Sequence, residues 1–121
     1  MKKYEDCKIY TIHNIPMIHI AEFAELTQRS IQSTRHLIEE GNKIRKMKFF
    51  RDRSRLMIPV TELWGYPLTE PGISPGGENI YHYKQQEDGT FVKELCRECS
   101  FGECCSERKK ADELIVPEGD K

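Results

Sequence analysis

Three patterns in the sequence predict an α+β fold. Apolar residues recur at helical spacing across 18–26 and again across 28–40. Two pairs of short apolar-polar runs, 43–50 with 55–59 and 80–83 with 90–93, each flank a polar turn, as the arms of a β-hairpin do. Between the pairs lies a segment dense in proline and glycine. Two helices, a hairpin and a third short helix, in that order, make a small winged helix-turn-helix domain; the second hairpin and a cysteine-rich stretch follow as an appendage.

Each element has its local reason. Residues 8–12 alternate loosely enough for a short strand, and Pro16 punctuates the chain before the first helix. Across 18–26, Ile20, Phe23 and Ala24 share a stripe with Leu26, while Glu22 and Glu25 fall outside it. Thr27 can cap the next helix with its hydroxyl, and Ser30 can do the same for a later start. That helix is expected over 28–40, with Ile31, Thr34, Leu37 and Ile38 inward, and Gly41-Asn42 tolerate the left-handed stop. The run 43–50 reads as a strand carrying Ile44, Met47 and Phe49. The turn 51–54 is polar, and 55–59 returns with Leu56 and Ile58 on one face until Pro59 ends it. Val60 to Gly65 is a short helix or turn whose Leu63 and Trp64 cover the base of the domain.

From 65 to 77 the chain packs three prolines and four glycines into thirteen residues, a composition that marks a linker. Asp88-Gly89 then supplies the positive-φ turn of the second hairpin. A short helix is expected around 111–115, and the end is loose. The expected organisation is a domain over 8–66, a linker over 67–79, and a hairpin with the cysteine cluster and an acidic tail over 80–121.

The formal net charge of −1 conceals a segregation: residues 27–60 carry +6 and residues 61–121 carry −6. Screening confines charge effects to about 10 Å at moderate salt, so the local excess decides what the middle third attracts. A basic patch this one-sided points to phosphate. A helix after a short turn fits the major groove, and the outward positions of 28–40 are Gln28, Arg29, Gln32, Ser33, Arg35 and His36. Arg forks onto guanine and Gln onto adenine, while Ser and His reach base edges or phosphates. In the hairpin, Lys43, Arg45, Lys46 and Lys48 precede Arg51, Arg53 and Arg55, which crowd the tip where a wing meets the minor groove or its flanking phosphates. The plainer alternative is an amphipathic helix with a polar outer face beside a solvated charge run. The expected function is sequence-specific binding of double-stranded DNA.

Three segments carry a family resemblance: Ile20-Ala-Glu-Phe-Ala-Glu-Leu-Thr27, Leu37-Ile-Glu-Glu-Gly41 with Ile44 after it, and Leu56-Met-Ile-Pro-Val-Thr-Glu-Leu63. Over roughly residues 15–66 the chain resembles the excisionase and MerR-type winged helix-turn-helix family. The resemblance places Arg29, Gln32, Ser33 and Arg35 or His36 on or beside a recognition helix, and Arg51, Arg53 and Arg55 in a wing. It implies an excisionase-like architectural factor or a transcription regulator of a phage or mobile element, with several copies associating on bent DNA. Two features depart from the family: Thr27-Gln28-Arg29 stands where a glycine turn is common, and the wing lacks the usual glycine pair at its tip. After Gly65 there are no heptads, so the long coiled coil of typical MerR activators is not expected.

Cys96, Cys99, Cys104 and Cys105 fall within ten residues, and Cys7 stands alone. Such clustering without a secretory signal suggests one structural zinc ion rather than disulfides. Cys96 and Cys99 present two thiolates, Cys104 a third, and either Cys105 or His82 completes a tetrahedron. Unliganded reduced thiols are the alternative. No catalytic constellation stands out, so an enzyme is not expected. The competing function is a protein-interaction module whose acidic half, 80–121, binds a partner. No apolar run approaches the ~20 residues that span a bilayer, and the N-terminus lacks a signal-peptide core, so a cytoplasmic location is expected.

Overall fold

The computed structural model describes residues 2–42, 45–71, 78–95 and 106–117, with side chains left out at 70–71, 78–79 and 106–108. Among the described residues the fold is mixed α plus β: four α-helices and seven strands in two antiparallel sheets.

The first sheet has the order β1-β2-β4-β3. Its opening hairpin joins β1 (Tyr10–Ile12) to β2 (Ile15–His19) through His13 and Asn14. Both turn residues have positive φ, 51° and 65°, as a two-residue turn matched to strand twist requires. Strand β2 was not expected. Pro16 reads as punctuation, yet its carbonyl accepts from the Val60 N–H at 3.0 Å, and its neighbours Met17 and Ile18 pair with Pro59 and Ile58 of β4. Helix α1 (Ile20–Leu26) therefore starts two residues later than its apolar stripe suggests, and the His19 ring nitrogen Nδ1 accepts from the Ala21 N–H at 3.1 Å.

Helix α1 ends in a left-handed turn. Gln28 has φ 57°, its N–H reaches Glu25 O, and the Arg29 N–H reaches Ala24 O, the paired bonds of a Schellman motif. Helix α2 (Ile31–Glu39) is shorter than the expected 28–40. Ser30 is its cap, accepting from the Ser33 N–H at 3.0 Å, whereas Thr27 donates back to Phe23 O at 2.8 Å. Thr34, Leu37 and Ile38 are buried, but Ile31 is exposed. Gly41 stops the helix at φ 73°, where a Cβ would lie 2.7 Å from Arg45 O and from the Lys46 Cα.

The strand expected over 43–50 shrinks to β3 (Phe50–Asp52), paired with β4 (Arg55–Pro59). Alternation fails over 45–49 because the backbone is drawn elsewhere: the Met47 N–H reaches Leu37 O at 3.1 Å, and the Lys48 N–H reaches the Glu62 carboxylate at 2.9 Å. Glu62 sits on α3 (Thr61–Gly65) with no solvent exposure.

The expected linker contains β5 (Leu68–Pro71), which pairs with β6 (Glu78–Gln85); β7 (Phe91–Leu95) completes the second sheet. The hairpin contributes to the main core. Tyr83 and Phe91 are buried in the same core as Phe23, Leu63 and Tyr66, and Phe23 meets Tyr83 edge-on at 6.0 Å. Helix α4 (Ser106–Glu113) begins before the expected 111–115 and packs on α3.

Strand β4 has two buried faces. Leu56 and Ile58 join the main core, while Met57 joins Ile15, Met17 and Phe50 in a second cluster covered by Leu114 and Val116. No described helix is long and apolar enough to cross a membrane.

Two outcomes follow from the buried polar centre. Glu62→Ala leaves Arg45, which is itself largely buried, without its partner, and is expected to destabilise the fold by about 3–5 kcal/mol in a denaturant titration. Burial pushes the Tyr66 phenol up to about 12, against the attraction of Arg45. An unfolded phenol ionises near pH ~10, so this stability is fully present below pH ~10 and is lost between there and about 12. Melting temperature is expected to fall through that window, and to fall less in Tyr66→Phe.

Candidate nucleic-acid interface

Helix α2 and the hairpin β3–β4 contribute to one core, Leu37 and Ile38 from the helix and Leu56 from β4. A shallow groove runs between them, lined by Arg35, Ile38, Glu39, Lys46, Phe49, Arg51 and Leu56. Three cations from three separate stretches thus converge around an aromatic side chain that is 36% exposed. Arg35 stands one helical turn from Ile38, and Arg51 points opposite to the buried Phe50. Such a surface offers phosphate contacts and an apolar face for a sugar or base edge.

The expected contact residues divide into two groups. Gln32, Arg35 and His36 are exposed on α2, and Lys46, Arg51 and Arg53 are exposed on the hairpin side. His36 Nδ1 lies 3.1 Å from Glu40 at the end of the same helix. Arg53 occupies the hairpin turn at φ 57°, a conformation that costs an ordinary side chain about 1–2 kcal/mol. Arg55 pairs with Asp52 across the turn, and its guanidinium lies 5.2 Å over the Tyr10 ring.

The other group faces inward. Arg45 does not extend toward the groove: its guanidinium forks onto Glu62 at 2.8 and 2.9 Å, its Nε lies 2.7 Å from Asp112, and it stacks over Tyr66. Burial opposes its charge, and the bonds to Glu62 with the charges of Glu62 and Asp112 more than offset this, so its pKa is raised. Lys48 also turns away: its Nζ donates to Ala111 O and Asp112 O, each at 2.7 Å, and to Leu114 O. Burial, with the charge of Arg45, lowers its pKa. Gln28 and Arg29 belong to the turn before α2 rather than to the helix. Gln28 donates to Phe91 O at 3.4 Å, while Arg29 donates to the Tyr83 hydroxyl at 3.0 Å and to Ser33 Oγ at 3.1 Å. These two side chains tie the helical pair to the second sheet. Lys43 lies outside the described residues.

Cys96, Cys99, Cys104 and Cys105 also lie outside the described residues. The alternative ligand His82 faces Glu94 across the β6–β7 ladder, with Nε2 3.2 Å from the carboxylate. Among the described residues no group of three or more metal-ligating side chains comes together.

Sequence reasoning missed two contributors. Phe49 reads in the sequence as an apolar strand position, yet it opens onto the groove because 45–49 is not a strand. Glu62 carried a signal, since it is the acidic residue in the Ile58-Pro-Val-Thr-Glu-Leu63 segment. Compared with known protein families, curated proteins and solved structures, the chain matches none.

Proposed function

We propose that this protein binds double-stranded DNA, with α2 in the major groove and the β3–β4 hairpin as a wing against the backbone. The observation that carries this reading is the convergence of Arg35, Lys46 and Arg51 around Phe49, beside the exposed Gln32 and His36. The order of elements supports it: two helices, a short left-handed turn between them, then a basic hairpin and a closing helix. So does the resemblance of 15–66 to excisionase and MerR-type proteins, which makes an architectural factor or a regulator of mobile-element genes the favoured role.

The groove and its tip hold four exposed cations that face away from the core: Arg35, Lys46, Arg51 and Arg53. Neutralising about four phosphates gives a log–log salt slope near −4, shallower than the whole basic run would give. Gln32 and Arg35 are the side chains suited to base edges, and DNA shape supplies the rest of the selectivity.

The test is fluorescence anisotropy on labelled duplex DNA across a salt series. The full chain is compared with the triple variant Arg35→Glu, Arg51→Glu, Arg53→Glu. A slope of about −4 that collapses in the variant is the expected result. Equal binding by both proteins, or none by either at low salt, overturns the reading.

A further inference from the structure

Lys48 belongs to the basic run but serves the opposite side of the molecule. Its ammonium is held by three carbonyls at the end of α4, where a helix leaves its last C=O groups without intrahelical partners and favours a cation. Phe50, two residues on, is buried against Met17 and Met57, and Leu114 and Val116 close over that cluster just beyond the same helix. Phe49 and Arg51, next to these two anchors, line the groove toward α2 together with Lys46.

The stretch 45–49 belongs to neither sheet. Its described backbone ties are the bonds of Met47 to Leu37 and of Lys48 to Glu62, those that Arg45 makes to Asn42 and Tyr66, and the Arg45 guanidinium on Lys46 O. Side chains gripped from behind add to what sets its shape. Phe49 lies between the two anchored residues and Arg51 follows Phe50 on the opposite face of β3, so anchoring Lys48 and Phe50 restricts where Phe49 and Arg51 point.

We propose that residues 106–116 act as a strut that sets the DNA groove. By gripping Lys48 and backing Phe50, they hold Phe49 and Arg51 toward α2, beside Lys46. Lys48 and Leu114 are then positioning residues that touch no DNA. This inference rests on the DNA-binding reading, and it makes the C-terminal segment part of the binding machinery rather than a tail.

The test uses the full chain with Lys48→Met and, separately, Leu114→Asp, in two measurements: DNA anisotropy across a salt series and amide hydrogen exchange over 46–51. Both variants are expected to lose about tenfold in affinity at fixed salt while keeping the wild-type slope, and to exchange faster over 46–51. Should Leu114→Asp fail to fold, Leu114→Ala carries the same arms. A slope that flattens by about 0.9 in Lys48→Met, with affinity untouched in the Leu114 variant, makes Lys48 a phosphate contact and overturns the strut. A gain in affinity in either variant overturns it as well, because the segment would then oppose binding. If the wild-type chain binds no DNA, the earlier reading fails by itself. The exchange arm still decides here: unchanged protection over 46–51 in both variants overturns the strut.

Discussion

A carboxylate with no solvent exposure has to be paired, and Glu62 is paired by two residues of one arm, Arg45 and Lys48. Its oxygens take a two-pronged grip from Arg45 and the N–H of Lys48, so the irregular arm after α2 is bound to α3. Arg45 reaches on to Asp112 of α4, and its carbonyl accepts from the Tyr66 hydroxyl. An unpaired charge in this place is strongly unfavourable, which makes other paths for residues 45–49 costly. The arm gives up strand geometry to satisfy Glu62, and the groove beside α2 takes its outline from that detour.

The same centre explains why seven cations in one run do not act alike. Two of them neutralise or cap the protein itself, and three more gather along the groove and the hairpin tip without an internal counter-charge of that kind. The division follows from geometry rather than composition. A guanidinium within reach of a buried carboxylate is held by hydrogen bonds in low dielectric, whereas one on an exposed strand face meets only solvent and whatever binds there.

Much of the fold was legible in the sequence because its signals are local. The stripe Ile20, Phe23, Ala24 and the caps at Ser30 and Gly41 place the two helices, and Asp88-Gly89 places the second hairpin. What escaped depends on distant partners. Strand β2 hides behind Pro16 because one of its edges is satisfied by residues some forty positions later, in β4 and Val60. Strand β5 hides inside a proline- and glycine-rich segment that pairs with β6. The joining of the second sheet to the main core rests on Tyr83 and Phe91 meeting Phe23 and Trp64, which no local period reveals. For the site, exposed positions of α2 were readable from helical spacing. The inward turn of Arg29, Arg45 and Lys48 was not, since charge alone says nothing of which partner a long side chain reaches.

Among the described residues, four without glycine's freedom hold positive φ: His13 and Asn14 in the first hairpin turn, Gln28 in the turn leading into α2, and Arg53 at the tip of the β3–β4 hairpin. Gln28 recovers part of that cost through its bond to Phe91 O, while the exposed Arg53 places a charge at the foremost point of the hairpin. The central claim is that DNA lies between α2 and this hairpin. It is tested most directly by mapping backbone amide shifts as duplex DNA is titrated into the isotopically labelled full chain. The account predicts shifts concentrated in Ile31–Glu39 and in 46–53, with the ladder of β6 and β7 little changed. Shifts concentrated in β6 and β7, with α2 and the hairpin silent, would contradict it.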